Sequence, residues 1–400
     1  MDTPPADPLD QALALHRAGD LVRAKTQYIA ILRRQPDHFD ALHLLGVVAL
    51  QSQNAAAAVG LIKLAIELAP DVSDFHSNLA LAHKDLAQWD AALASVDQAI
   101  RLNPISAQAH FNRGSIFQLL DKPELALACL ENATRFMPNY ADAHFQMGLT
   151  LQQLQRPDVA ISSYDRALAH WPQDARIHYN KGVALQALGD LAACVRSYDL
   201  ALRYQPQHAE AHFNRGVAQH HLGKISDAVA CYQRAVALNP KHAQAYSNLG
   251  VAQQTLQQLG GAVASFKQAL ALEPNFAAAH YNLGLALKQS GRPQEAVHCY
   301  GRAIALEPQY VQALASLGHA LQELEDYAGA IANYDRALAL RPDFVEAHFN
   351  RGISLQALGR LEEAAQAYGQ VLHYASERQD AQERLAELRQ IPGQHNTLAG

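Results

Sequence analysis

Apolar residues along the chain recur at three- and four-residue spacing, in runs that glycine or proline interrupts at regular intervals. Spacing of this kind is typical of amphipathic helices that bury one face. In one segment the pattern predicts a helix from about 210 to 222, a turn at Gly223 and a second helix from about 226 to 238. Pro240 then ends the second helix, because proline lacks the amide donor and disfavours helix at the preceding residue.

The prolines that follow the second helices form a strict series with a period of 34 residues. They are Pro36, Pro70, Pro104, Pro138, Pro172, Pro206, Pro240, Pro274, Pro308 and Pro342. Glycine, alanine and aromatic residues fill further columns at the same period. A fixed period of roughly 20–50 residues indicates a repeat architecture. In such a fold each helix pair buries its apolar face against its neighbours in a stack.

These columns resemble the tetratricopeptide repeat from about residue 5 to residue 378, with glycine, alanine, aromatic and proline positions in register. The resemblance implies an all-α solenoid, a right-handed superhelix of about eleven helix-turn-helix units of 34 residues. The units are expected to start at about residues 5, 39, 73, 107, 141, 175, 209, 243, 277, 311 and 345. The chain departs from the family in one respect, because histidine replaces the early tryptophan in most units.

The C-terminal end departs from the repeat. Residues 379–391 are expected to form a helix that covers the open side of the last unit, with Leu385, Leu388 and Ile391 on one face. The Pro392-Gly393 pair ends it, and residues 392–400 are expected to be a disordered tail.

Composition narrows the classes of partner and the compartment. The formal net charge is −6, whereas a nucleic-acid groove should be basic. The longest apolar runs are too short to span a membrane, and the acidic N-terminus has no apolar signal core. We therefore expect a cytoplasmic protein with no nucleic-acid or membrane partner. Its four cysteines are expected to be packed, reduced thiols.

A row of amide side chains stands six residues into most of the first helices, although asparagine is a poor residue for a helix interior. The family resemblance implies that this position faces the concave groove. Since a primary amide both donates and accepts, a spaced row could hold the backbone of an extended peptide. The alternative is that the amides bond only within the solenoid. The row consists of Asn78, Asn112, Gln146, Asn180, Asn214, Asn248, Asn282 and Asn350. It resembles the asparagine ladder in the repeat arm of O-linked N-acetylglucosamine transferases.

Two more columns follow the amide row. An aromatic column could line the same groove or pack within its own unit, and both interpretations stay open. It consists of Phe111, Phe145, Tyr179, Phe213, Tyr281 and Phe349. A glutamine column consists of Gln118, Gln152, Gln186, Gln254, Gln322 and Gln356. A groove of this composition would be neutral, which disfavours the carboxylate clamp of chaperone-binding repeats.

The histidines that replace tryptophan suggest a metal site, but their spacing opposes one. They are His76, His110, His144, His178, His212, His280 and His348. Neighbouring units place them at least about 8–10 Å apart, whereas all ligands of a zinc ion lie within about 2 Å of it. We therefore expect these histidines to pack, and we expect no metal or other cofactor.

Basic residues just before the glycine column occur together with an aspartate 16 residues earlier. The four pairs are Arg113 with Asp97, Lys181 with Asp165, Arg215 with Asp199, and Arg351 with Asp335. Units without the aspartate carry leucine or methionine instead of the basic residue. The pattern predicts an ion pair between the second helix of one unit and the first helix of the next.

No catalytic motif or phosphate-binding loop stands out in the sequence. We therefore expect a non-enzymatic scaffold that binds an extended polypeptide in its concave groove. The alternative is the substrate-recognition arm of a protein O-glycosyltransferase whose catalytic domain is absent from this chain. Self-association through the terminal repeats also stays open as an expectation.

Overall fold

The computed structural model describes residues 7–390, and all 23 regular elements in that range are helices. The fold is therefore all-α, as predicted. Residues 5 and 6 of the predicted first unit, Ile391 of the predicted closing helix and the predicted tail at 392–400 lie outside the described residues. The chain divides into two units, which we call the first stack (residues up to Gln205) and the second stack (from Pro206 onward).

The first stack contains helices α1 to α12. Their bounds are α1 Pro8–Arg17, α2 Leu21–Arg34, α3 Phe39–Gln51, α4 Ala55–Leu68, α5 Ser73–Asp85, α6 Trp89–Leu102, α7 Ala107–Leu119, α8 Pro123–Phe136, α9 Ala141–Gln153, α10 Pro157–Leu168, α11 Ala175–Ala187 and α12 Leu191–Tyr204.

The second stack contains helices α13 to α23. Their bounds are α13 Ala209–His221, α14 Ile225–Leu238, α15 Ala243–Thr255, α16 Leu259–Leu272, α17 Ala277–Gln289, α18 Pro293–Leu306, α19 Val311–Glu323, α20 Tyr327–Leu340, α21 Val345–Ala357, α22 Leu361–Tyr374 and α23 Gln379–Arg389.

Each odd-numbered helix packs most extensively against the even-numbered helix that follows it, which gives helix-turn-helix pairs. Within each stack the second helix of a pair then packs against the first helix of the next pair. First helices of successive pairs also approach one another, as α13 and α15 do, and second helices do so to a lesser extent among the described residues. The first helices therefore form the inner layer of each stack.

The glycine column allows the two helices of a pair to approach closely. A Cβ atom built on Gly250 would lie 2.7 Å from Cε1 of Phe266, a fully buried ring on the second helix. Ala80 fills the same position in an earlier pair, where the facing residue is the smaller Val96. Both Ala80 and Val96 are fully buried, so the volume lost on one helix is recovered on the other.

Every turn between a first and a second helix contains one residue with a positive φ angle. Five of these eleven residues are glycines, such as Gly189 at φ 78°, and six are other residues, such as Ala87 at φ 55°. Backbone amides at these turns bond back to the end of the first helix, as from Asp190 to the carbonyl oxygen of Leu185. This pattern satisfies carbonyl groups that the helix end leaves without partners.

The histidine column is explained by one repeated hydrogen bond. In all seven cases Nε2 donates to the carbonyl oxygen of the proline six residues earlier, at 2.8–3.0 Å. The bond ties the first helix to the turn that precedes it. Burial lowers the pKa of His144 and of His212, which favours the neutral imidazole that this single bond requires.

The four cysteines are free thiols and all are buried, as predicted. Burial raises the pKa of both Cys194 and Cys299 to about 11. No helix within residues 7–390 combines the length and apolar character needed to cross a membrane. The same residues contain no cluster of three or more histidine, cysteine or acidic side chains suited to a metal ion.

Candidate functional site: the inner face of the first helices

The predicted amide row lies on the first helices, in the inner layer of each stack. Seven of its eight side chains are half-buried, and Asn112 is the exception at 1% exposure. A half-buried amide remains open to a ligand, whereas a fully buried one must already be satisfied within the fold. Asn112 therefore differs from the rest of the row.

The first two amides of the row bond to the preceding first helix. The Asn78 amide nitrogen donates to Nε2 of His43 at 2.8 Å, and that of Asn112 donates to the Ser77 hydroxyl at 2.9 Å. Asn112 also accepts from the side-chain amide of Gln108 at 2.9 Å. Both amides hold neighbouring helix pairs together, and that of Asn112 has no open side.

The later amides are less committed. The Asn180 side chain donates to the carbonyl oxygen of Arg176 in its own helix at 2.8 Å, and Asn248 accepts from Gln244 at 2.8 Å. Asn214 also has a partner. The side chains of Gln146, Asn282 and Asn350 have no hydrogen-bond partner within residues 7–390. These three amides are available for a ligand.

The aromatic column packs against aromatic rings of the fold. Five of its rings lie 5.8–6.1 Å, centroid to centroid, from a second-helix ring of the same pair. These pairs are Phe145 with Tyr164, Tyr179 with Tyr198, Phe213 with Tyr232, Tyr281 with Tyr300, and Phe349 with Tyr368. Phe111 instead contacts Tyr140 at 5.0 Å. Phe145 is buried and the other five remain half-exposed, so these five combine packing with an accessible edge.

The glutamine column has a role that the sequence interpretation missed. In four pairs a second-helix tyrosine hydroxyl donates to the side-chain oxygen of the glutamine 12 residues earlier. These pairs are Gln152 with Tyr164, Gln186 with Tyr198, Gln322 with Tyr334, and Gln356 with Tyr368. Gln118 bonds to Thr150 at 2.7 Å and Gln254 to Gln289 at 2.9 Å. The co-occurrence of Gln and Tyr at this spacing was the available signal.

A half-exposed apolar stripe lies on the same helices, three residues after the amide row. Its members are Val47, Leu81, Leu149, Val183, Val217, Val251, Leu285 and Ile353. The inner face therefore places a column of hydrogen-bonding groups beside a column of aliphatic groups. Such a face can bond a peptide backbone and contact its apolar side chains at the same time.

Three of the four predicted ion pairs are present. Arg113 Nε lies 3.0 Å from an Asp97 carboxylate oxygen, and Lys181 Nζ lies 2.5 Å from Asp165. The third joins Arg351 to Asp335 at 2.5 Å. The pair of Asp199 with Arg215 stays a prediction. About half of each aspartate side chain is in solvent, so these pairs contribute little to stability.

Family models place the repeat over most of the chain. Models described as tetratricopeptide repeat match residues 9–73, 77–141 and 145–193, residues 209–242 and 277–310, residues 231–264, and residues 346–378. A model described as TPR repeat matches residues 255–291 and 323–359. A sequence search of curated proteins found no match.

Solved structures with similar backbones are repeat proteins of varied length. A crystal structure of MamA is 26% identical with a TM-score of 0.40, and the match covers 40% of this chain and 94% of that chain. YrrB, described as a TPR protein with an unusual peptide-binding site, is 23% identical with a TM-score of 0.44 and coverages of 46% and 95%. The Cut9–Hcn1 hetero-tetramer of the APC/C is 14% identical, with a TM-score of 0.46 and coverages of 94% and 95%. These TM-scores lie below 0.5, so the similarities carry no functional conclusion.

Proposed function

The chain belongs to the tetratricopeptide repeat family, and from that premise we propose that it is an interaction scaffold that binds an extended polypeptide along its first helices. The observation that carries the proposal is the set of unpartnered amides at one register of the inner layer: Gln146, Asn282 and Asn350. Asparagine lowers the stability of a helix interior relative to alanine by up to about 0.7 kcal/mol. Its repeated use there is best explained by a ligand.

The spacing of the row suits an extended chain. Packed helices lie about 8–10 Å apart, and an extended polypeptide rises about 3.3 Å per residue. One amide would therefore meet about every third residue of the ligand. The aliphatic stripe beside the row would contact side chains between those points. Since backbone groups are common to all sequences, the amides would supply affinity and the other groups of the face would supply preference.

The test compares two triple variants of the second stack. The inner variant carries Asn248→Ala, Asn282→Ala and Asn350→Ala. The outer variant removes three amides of equal chemistry from exposed positions on second helices, with Gln233→Ala, Gln268→Ala and Gln366→Ala. Each protein would select binders from a displayed library of random 15-residue peptides, after circular dichroism shows equal helicity.

We expect the wild type and the outer variant to select the same peptides with similar affinity. The inner variant should bind those peptides at least about tenfold more weakly, because each lost hydrogen bond contributes about 1 kcal/mol. Equal affinity of all three proteins for one pool would show that the amide row is structural.

A second candidate is the substrate-recognition arm of a protein O-glycosyltransferase whose catalytic domain lies outside this chain. The asparagine row favours it, since a grip on the peptide backbone would let one arm present many substrates. The intact mass of the native protein in its source cell separates the two. A longer chain that continues into a sugar-nucleotide-binding domain would support the arm, and a native mass equal to that of this chain would oppose it.

A further inference from the structure

The bond between glutamine and tyrosine is interrupted in the pair α13–α14. Here the residue 12 positions before Tyr232 is His220, whereas Gln186 and Gln322 hold that position elsewhere. Within the described residues Nε2 of His220 is buried and has no hydrogen-bond partner. The Tyr232 hydroxyl instead bonds to Asn248 on the next first helix, α15. The substitution thus redirects one tyrosine and leaves one imidazole nitrogen unpaired.

A cavity of about 180 Å³ lies where these side chains meet, and we call it the His220 cavity. Val217, His220, His221, Tyr232, Asn248 and Val251 line it. A water molecule occupies roughly 10–15 Å³ by a comparable measure, so the cavity has room for a short side chain. Val217 and Val251 belong to the half-exposed aliphatic stripe, which places the cavity on the inner face.

The polar groups of the cavity are mainly donors. The Asn248 side-chain oxygen already accepts from Gln244, so its amide nitrogen is the donor to the Tyr232 hydroxyl oxygen. That arrangement leaves the Tyr232 hydroxyl proton and the second amide proton of Asn248 uncommitted to each other. Burial and the neighbouring His221 lower the pKa of His220. A carboxylate beside His220 would favour its protonated form, which adds a further donor.

We propose that the His220 cavity receives the carboxylate of an aspartate or glutamate side chain in the bound polypeptide. The inference rests on the binding mode proposed above and adds a sequence preference to it. A carboxylate offers acceptors to the hydroxyl, the amide and the imidazole together, and charge-assisted bonds of this kind are the stronger ones. Its methylene groups contact Val217 and Val251.

The experiment uses His220→Gln, which replaces the histidine with the side chain that pairs with tyrosine in four other helix pairs. The fold should therefore tolerate it, with a melting temperature equal to or above that of the wild type. His298→Gln is the matched control, because His298 is an exposed imidazole on a second helix. All three proteins would select from the random 15-residue peptide library.

We expect one position of the wild-type and His298→Gln pools to be rich in aspartate or glutamate, and the His220→Gln pool to lose that excess. For one selected peptide, an Asp→Asn or Glu→Gln change should weaken wild-type binding about tenfold and His220→Gln binding less than about twofold. Pools without acidic enrichment, or with the same enrichment in His220→Gln, would overturn the cavity proposal alone. Failure of the wild type to select any peptide would overturn the scaffold proposal as well. The peptide change measured on the wild type decides the matter even if His220→Gln unfolds.

Discussion

Residues 39–102 and residues 141–204 build two helix pairs each, with different side chains in the same columns. In 141–204 the glycine column faces tyrosine, as where Gly182 lies against Tyr198. In 39–102 the facing residues are smaller, Ile62 and Val96, and Ala80 fills one glycine position. The comparison teaches that the columns change together, because a larger residue on one helix requires a smaller one on its partner.

The polar contacts change in the same coupled way. In 141–204 the Tyr198 hydroxyl donates to Gln186 at 2.9 Å. In 39–102 the facing residues have no hydroxyl, and an amide bond between helix pairs, from Asn78 to His43, is present instead. His43 stands in the aromatic column, where most other units carry phenylalanine or tyrosine. A buried imidazole in that place makes the N-terminal region sensitive to acid.

The largest expected effect is the pH dependence that His43 gives to residues 39–102. Burial lowers the pKa of His43 to about 4, below the value near 6.5 of an unfolded histidine. The unfolded chain then binds more protons between those values, so the stabilisation is complete above about pH 6.5 and is lost as pH falls toward 4. The full loss corresponds to about 3 kcal/mol.

The check is the free energy of unfolding of the wild type and of His43→Phe, measured by urea denaturation between pH 7 and pH 4. The variant should lose less stability than the wild type by about 3 kcal/mol over that range. Parallel curves for the two proteins would contradict the assignment.

The next effect comes from copying Ala80 into the other region with Gly182→Ala. The new Cβ would lie 2.6 Å from Cε1 of Tyr198, so the ring must shift and we expect a loss of about 2 kcal/mol. The same change in a Tyr198→Val background should be neutral or stabilising, because alanine is a better helix residue than glycine. A double-mutant cycle by chemical denaturation measures this coupling, and additive losses would show that the columns are independent.

Exchanging the turn residues should give a smaller effect of opposite sign in the two regions. Ala87 holds a φ of 55° and Gly189 a φ of 78°, a range that costs a residue with a Cβ roughly 1 kcal/mol. We therefore expect Ala87→Gly to stabilise the protein by about 1 kcal/mol and Gly189→Ala to destabilise it by a similar amount. Thermal unfolding would measure both, and the same sign of change in the two variants would refute the explanation.

The smallest effect is expected for Lys181→Leu, which gives 141–204 the leucine that 39–102 carries at Leu79. The variant loses the ion pair with Asp165, whose side chain is 53% exposed. We expect a change below about 0.5 kcal/mol that disappears in about 1 M salt. A loss several times larger, unchanged by salt, would mean that the pair sets the stacking of the helices.

The period of 34 residues was sufficient to predict the helix pairs, because each column repeats one packing environment. It could not assign the histidines a partner, since a bond from His178 to the carbonyl oxygen of Pro172 depends on turn geometry rather than residue type. The basic residues and aspartates were predictable, because their joint occurrence carries the information. The bond of glutamine to tyrosine carries the same kind of signal, and it was missed because the glutamines were interpreted as groove residues.

The amide row was less predictable than the fold. Asn112 is buried because Ser77, a small polar residue, stands in the aromatic column of the preceding unit and accepts its amide hydrogen. Asn78 bonds to His43 for a related reason, as a polar group replaces an aromatic ring. The state of each amide therefore depends on the residue 35 positions earlier. A single column cannot reveal that dependence.

The measurement that tests the proposed binding mode most directly is photo-crosslinking of a selected peptide. A peptide enriched by the wild type would carry one benzophenone residue at each position in turn, and mass spectrometry would locate the crosslinks. We predict crosslinks to first helices, at the aliphatic stripe and the amide row around Asn282 and Asn350. Crosslinks concentrated on second helices such as α16 and α22, with none on first helices, would contradict the proposed binding mode.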